Sequence, residues 1–459
     1  MNKTTTKAKA IHGLPHYCQN NPLIPKGVFP TSWTQLYATV ARLPDATDSM
    51  RRNEDSFTRL LNLAELEDFY FPAARDLRSA IDTVRMILKG LSDRKPNAAY
   101  WRAHDSERNA LLGEKSHLKS PPRSAVANSM AIVGISGGGK STSIRNLLST
   151  IPQVIEHDQS ANPLLPRYQI LWLKVACPVN RTPRAFMTEI FDSFDRLVNS
   201  NYSKACKSEN DDDRIILMGS AARNHFLGVL VIDEIQNAAG KDISSDRRLM
   251  KLIVRIAETI GVPLIFIGTP KANELLNAEL ADARRMLGPL WLPYSDDSKD
   301  WNLYLDVLCK IQYTRTETLL DPAPAAGPPT PGGLREKFFE LTQGIPALAK
   351  ALWGLAQERA IMNTKHEPTE TITTKVLQDT FDHDMRSVAP AVAALRTKMG
   401  LDVYDDLLPK ELPKPRAWEK DLADYELITR DCFQETLVRA ARKKAREKAE
   451  DMFESPIES

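Results

Sequence analysis

Gly134-Ile135-Ser136-Gly137-Gly138-Gly139-Lys140-Ser141 is a complete G-x-x-x-x-G-K-[ST] loop, and the apolar run Met130-Ala131-Ile132-Val133 precedes it. Strand, glycine loop, then helix is the order that a phosphate-binding loop requires. The glycines let the backbone curl so that successive N–H groups point at the β- and γ-phosphates. A helix starting at Lys140 adds the positive end of its dipole. Lys140 then neutralises phosphate charge, and the Ser141 hydroxyl ligates Mg²⁺. The stretch predicts an ATP site built from Gly134, Ser136, Gly137, Gly138, Gly139, Lys140, Ser141 and Thr142. Its alternative is a glycine-rich turn without function.

A nucleotide pocket does not by itself say whether the γ-phosphate is hydrolysed. Gly228-Val229-Leu230-Val231-Ile232-Asp233-Glu234 predicts a buried parallel strand ending in two carboxylates. Asp233 is placed to hold the magnesium water shell, and Glu234 to orient and deprotonate an attacking water. That pair favours hydrolysis over transfer to an acceptor, although an Asp-Glu pair also simply ends strands. A further apolar run, Val262-Pro263-Leu264-Ile265-Phe266-Ile267-Gly268, stops at Thr269-Pro270. This order of strands resembles the additional-strand subclass of phosphate-loop ATPases, which implies that Thr269 contacts the γ-phosphate or the water. Threonine is also common punctuation at a strand end.

Composition sets the frame around these motifs. A chain of 459 residues is too long for one core and suits about two to four folded units. Its net charge of +2 requires any nucleic-acid surface to come from local clustering. Cys18, Cys177, Cys206, Cys309 and Cys432 are odd in number and lack metal spacing, which predicts reduced cytoplasmic thiols. No apolar h-region follows the N-terminus and no apolar run is long enough to span a bilayer, so no membrane partner is expected.

The breaks in the sequence predict four segments. Residues 1–121 form a polar, proline-punctuated arm with helices, among them 72–88, where Leu77, Ile81, Val84 and Leu88 make one apolar stripe. Arg75, Asp76, Arg78, Asp82 and Arg85 cover the rest of that helix. Residues 122–297 alternate strands (130–134, 169–176, 227–233, 262–268) with helices (140–150, 182–199, 246–260), the pattern of an α/β doubly wound parallel sheet. Residues 298–395 form a small all-helical lid with helices 301–311, 334–341, 346–361 and 374–385. A Pro/Gly-rich insertion at 321–333 interrupts it. The tail, 396–459, holds a Pro-rich connector and a basic helix with Arg439, Arg442, Lys443, Lys444, Arg446 and Lys448.

The loop with the helix after it, the segment 228–236, Ile267-Gly268-Thr269-Pro270-Lys271-Ala272 and Ala281-Asp282-Ala283-Arg284-Arg285 together resemble the TnsC/TniB family of AAA+ transposition regulators over roughly residues 125–350. The resemblance implies an AAA+ ATPase of the bacterial cytoplasm that forms ATP-dependent rings or helical filaments of its own copies around double-stranded DNA. It further implies that the assembly links a target-selector protein or RNA-guided complex to transposase subunits. One of Arg284 and Arg285 is then the arginine finger that completes a neighbour's site, while either arginine also complements a helix dipole. The second sensor of the family is an arginine in a Gly-x-Pro-Arg stretch. This chain departs there with Gly344-Ile345-Pro346-Ala347, and Lys350, one turn on, is the residue able to take that place.

The family's DNA-facing loop follows the second core strand. Here it is Cys177-Pro178-Val179-Asn180-Arg181-Thr182-Pro183-Arg184. Arg181 and Arg184 would each neutralise a phosphate and Thr182 would donate a hydrogen bond, without reading sequence. Thr182-Pro183 is equally a helix N-cap and first-turn proline. The basic helix of the tail leaves three possibilities open: a DNA contact, a tether docking on a transposase through Phe433, Leu437 and Leu427-Ile428, or a solvated helix. A phosphotransferase fits the loop but not Asp233-Glu234. An AAA+ signalling or loader ATPase not tied to transposition keeps the fold and loses the DNA.

Overall fold

The computed structural model describes residues 13–44, 51–96, 129–158, 160, 162–180, 182–206, 211–238, 249, 251–253, 255–256, 261–272, 290–322, 330–363, 369–397 and 425–435. Its strands are β1 (Ser129–Gly134), β2 (Val154–Glu156), β3 (Tyr168–Ile170), β4 (Trp172–Ala176), β5 (Val229–Asp233), β6 (Leu264–Gly268) and β7 (Leu290–Trp291). Helices α1 (Trp33–Val40), α2 (Ser56–Asn62), α3 (Glu65–Asp68) and α4 (Ala74–Asp93) precede the sheet. Between its strands run α5 (Lys140–Ser149), α6 (Pro183–Val198), α7 (Tyr202–Cys206) and α8 (Asp211–Asn224). After it come α9 (Lys299–Leu308), α10 (Leu334–Thr342), α11 (Pro346–Met362), α12 (Thr374–Asp384) and α13 (Ala389–Thr397).

The central sheet has the order β4-β5-β6-β1-β7, with every pair parallel. Strands β1, β5 and β6 are buried along their whole length. Burial on both faces explains why they are continuous apolar runs rather than alternating ones. β6 lies between β1 and β5, so the loop after β1 and the carboxylates after β5 flank the end of β6. The expected strand 169–176 divides at Leu171. Tyr168–Ile170 pairs antiparallel with β2, while Trp172–Ala176 pairs with β5. A continuous apolar run does not reveal such a change of partner. In the helix expected at 246–260, the described residues 249, 251–253 and 255–256 are helical.

The chain divides into two compact units. One comprises Met1–Phe29, Ser79–Pro293 and Pro390–Leu412, the other Pro30–Arg78, Tyr294–Ala389 and Pro413–Ser459. In the first, the apolar face of α6 (Phe186, Met187, Ile190, Phe191, Phe194) joins Leu173, Val175, Leu230, Ile232 and Phe266 of the sheet in one core. Segments from the arm are stitched to this unit. Asn21 donates to the Leu91 carbonyl, Gln169 to that of Leu23 and Arg94 to that of Leu227, at 3.1, 2.9 and 2.6 Å.

In the second unit, Trp301 stacks on Tyr304 within α9, and the Tyr304 hydroxyl donates to the Pro346 carbonyl at the start of α11. Trp353 and Gln357 of α11 both donate to the Ile311 carbonyl. The guanidinium of Arg59 and the carboxylate of Glu370, both with fully buried side chains, form a bidentate pair at 2.6 and 2.9 Å. Residues 425–435 are helical, and the Phe433 ring packs 5.6 Å from that of Phe71. This apolar anchor of the tail is therefore used inside the unit. Leu437 and the basic stretch 439–448 lie outside the described residues.

On α4, Leu77, Val84 and Leu88 are buried as the stripe predicts, but so are the charged residues Arg75, Asp76 and Asp82. Asp82 accepts from Arg85 at 2.6 Å. Asp76 accepts from the Ala73 N–H and the Tyr70 hydroxyl, and Arg75 lies 4.1 Å over the Tyr294 ring. Among the described residues, no helix is long and apolar enough to cross a membrane.

Candidate functional site

The loop after β1 begins at a fully buried Ile135, whose N–H donates to the Trp291 carbonyl of β7. Gly137 and Gly139 adopt φ of +75° and +93°. Side-chain-bearing residues rarely take these values, which is why glycine stands at both positions. Gly139 caps α5 without a side chain, so the amides of the first turn face the cradle that the loop makes. Ser136 and Gly137 are exposed at its crest. Lys140 is buried, and its ammonium donates to the carbonyls of Gly134 and Ile135 at 2.8 and 2.6 Å. The lysine therefore folds over the cradle and holds it closed on itself.

One residue on, the Ser141 hydroxyl donates to Asp233 Oδ1 at 2.9 Å. This brings together the two oxygen ligands that the sequence assigned to magnesium, from positions 92 residues apart. Asp233 is buried, and its second oxygen is paired with Lys174 of β4 at 2.6 Å. Lys174 was not anticipated. In the register of β4 with β5, Ala176 faces Asp233 and Lys174 faces Val231, so the period of two puts the lysine on the carboxylate's face. A lone charge within Leu171-Trp172-Leu173-Lys174-Val175 was the available signal. The pair neutralises a carboxylate that burial would otherwise penalise.

Glu234 follows at φ +55° and is exposed, turned out of the strand just past Asp233. The short 3-10 turn Ile235–Ala238 then locks this corner to both neighbouring strands. Gln236 accepts from the Thr269 N–H at 3.1 Å, and Asn237 donates to the Cys177 carbonyl at 3.0 Å. Thr269 itself is buried, and its hydroxyl has no hydrogen-bond partner among the described protein atoms. A buried hydroxyl is rarely left so, and a phosphate oxygen or water would satisfy it. The cradle, the Ser141–Asp233 oxygen pair and this hydroxyl fit a magnesium–nucleoside triphosphate.

The remaining candidates are distributed otherwise. Arg284, Arg285 and Arg181 lie outside the described residues. Thr182 caps α6 by accepting from the Ala185 N–H at 3.2 Å, which leaves its own O–H able to donate, and Arg184 is exposed in the first turn. The root of this loop is tied to the acidic corner, because the Cys177 N–H donates to the Asp233 carbonyl at 2.8 Å. In the second unit, Lys350 donates to the carbonyls of Glu67 and Phe69, at 2.8 and 3.4 Å, bonds that a phosphate contact would have to replace.

Strand order, loop and acidic corner define an AAA+ phosphate-loop ATPase fold. A family model described as an AAA domain matches residues 124–276, the stretch that contains β1 to β6, the loop and the acidic corner. No curated protein sequence matches the chain. Among solved structures, the chain is similar to a Walker-type ATPase of Pyrococcus abyssi (11% identity, 71% of this chain and 88% of that one, TM-score 0.34). It is also similar to the Aeropyrum pernix Orc1 protein in complex with DNA (15%, 62% and 64%, 0.32) and to Cdc6p of Pyrobaculum aerophilum (13%, 75% and 96%, 0.32). The fold assignment rests on the matched domain and the sheet.

Proposed function

We propose that the chain is an ATP hydrolase that works as an oligomer on duplex DNA and links a target-site selector to the transposase of a mobile element. The hydrolytic part rests on one observation, the Ser141–Asp233 contact at 2.9 Å with an exposed Glu234 beside it. Magnesium, when bound, would draw charge off the phosphates. Ser141 and Asp233 are the residues to hold it. Lys140 would exchange its carbonyl partners for phosphate oxygens, and the Thr269 hydroxyl would donate to the γ-phosphate or the water. Glu234 takes a proton from that water as its oxygen bonds to the γ-phosphorus and the bond to the bridging oxygen breaks, releasing ADP.

The transposition part rests on the sequence resemblance. By it, Arg284 or Arg285 reaches into a neighbour's site, Arg181, Thr182 and Arg184 touch DNA phosphates, and Lys350 serves as second sensor after surrendering its present bonds. Transposase subunits and a target selector, protein or RNA-guided, are the partners. A reducing cytoplasm suits the five cysteines, all of them buried and none in a disulfide bond.

The test is ATP turnover with and without plasmid DNA. We expect stimulation by DNA of any sequence, and oligomers on DNA with a slowly hydrolysed analogue. An ATPase indifferent to DNA fits a signalling or loader role instead. Mixing an Arg284→Ala, Arg285→Ala double mutant with a Lys140→Ala mutant should restore part of the turnover that each parent lacks. A mixture that co-assembles and stays inactive places the finger elsewhere.

Substituting both Arg181 and Arg184 by alanine should lower affinity for all duplexes alike and flatten its salt dependence by roughly one counterion for each DNA phosphate that is no longer neutralised. ATP binding should survive, because the tie from this loop to Asp233 runs through the Cys177 backbone. An unchanged affinity and salt slope would move the DNA contact to another surface.

A further inference from the structure

Gln236 lies between two groups with assigned roles, and its amide touches both. Its Oε1 accepts from the Thr269 N–H at 3.1 Å, and its Nε2 donates to the Glu234 carboxylate. The orientation of the amide is forced, because an N–H on one side requires the oxygen and a carboxylate on the other requires the NH₂. Space is reserved for this bridge. A Cβ at Gly268 would come within 2.9 Å of Gln236 Oε1 and 2.6 Å of Ile235 Cγ2. The bridge thus joins the end of β6, where the buried Thr269 hydroxyl has no partner among the described residues, to a carboxylate that its own backbone leaves exposed at φ +55°.

We infer that Gln236 is a positioning residue for hydrolysis, holding the Glu234 carboxylate at a place set by Thr269, so that a contact made by the threonine is passed to the base through two hydrogen bonds. The inference rests on the proposed role of Glu234. It follows from the connectivity. Glu234 follows β5 in a left-handed conformation with its side chain exposed, whereas Thr269 is buried at the end of β6, and the glutamine ties the exposed group to the buried one. Misplacement of a base by about 1 Å is enough to cost on the order of a hundredfold in rate.

Two variants of the full chain separate positioning from folding. Gln236→Met keeps the length of the side chain and loses both bonds. Gln236→Glu keeps an acceptor for the Thr269 N–H but sets a second carboxylate against Glu234. Both should lower kcat about tenfold to a hundredfold, with KM and ATP affinity within about twofold of wild type. Gln236→Glu should also melt at the wild-type temperature, since the strand contact survives. A structural role alone would leave the rate of that variant unchanged. Wild-type kcat in either variant, beside a wild-type chain that turns over ATP, overturns the positioning role alone. A wild-type chain that binds ATP and never turns it over overturns the hydrolytic reading and this role with it.

Discussion

Glutamine in place of Glu234 is expected to lower kcat by about 10²–10⁴-fold while ATP affinity stays within about twofold. On the proposed assignment, nucleotide affinity would come from the cradle of Gly134–Ser141 and the oxygens of Ser141 and Asp233, whose contacts do not include the Glu234 carboxylate. Glutamine preserves the shape and the acceptor toward Gln236 Nε2, but it cannot take a proton at neutral pH. The corner should stay intact, because Asp233, the Glu234 N–H that donates to it at 3.0 Å and the turn 235–238 are untouched. Single-turnover phosphate release read beside a binding titration checks this. Wild-type release by the variant would remove Glu234 from the chemistry.

Methionine in place of Arg59 should destabilise the second unit by about 3–5 kcal/mol, because it leaves Glu370 buried without its counter-charge. For a unit of this size that is a fall in Tm of about 6–20 °C. Arg59 satisfies more than one partner, donating also to the carbonyls of Tyr313 and Glu54, at 2.9 and 3.1 Å. Replacing both members, Arg59→Met with Glu370→Leu, should be less harmful than the single change, since no charge is then stranded. A single variant that melts with the wild type would show that the pair contributes nothing.

The same pair sets a pH dependence. Burial by itself would raise the Glu370 pKa, but the hydrogen bonds from Arg59 and the Arg315 N–H, with their charges, outweigh it and leave the pKa below the ordinary glutamate value. A carboxyl depressed in the folded state contributes stability that is complete above its unfolded pKa and is lost as pH falls through the folded value. Acid titration of the second unit should therefore show a loss below about pH 4 that the double variant lacks.

Much of the site was legible because its parts are local. Gly137 and Gly139 sit where the backbone needs positive φ, and Asp233 and Glu234 sit where an apolar run ends, so spacing alone located them. Helices α10, α11 and α12 begin at Leu334, Pro346 and Thr374, where the sequence places helices 334–341, 346–361 and 374–385. What escaped depends on pairing between distant positions. Lys174 meets Asp233 only through the register of β4 on β5, Gln236 meets Thr269 only because β6 lies beside β5, and Arg59 meets Glu370 across 311 residues. No periodicity carries such information. The charged face assigned to α4 failed for a related reason, because Arg75 and Asp76 are buried by aromatic and backbone partners that a helical wheel does not contain.

An ATP-binding titration of the Lys140→Ala chain in magnesium shows whether residues 134–141 hold a nucleoside triphosphate. Lys140 is the one cation of the loop, and in this structure its ammonium bonds the carbonyls of Gly134 and Ile135. The wild-type chain should bind ATP, and the variant should bind at least about a hundredfold more weakly, the loss of one buried charge-assisted contact, while circular dichroism shows it still folded. A variant that binds ATP as tightly as the wild type would contradict the account, because the nucleotide would then lie somewhere other than this loop.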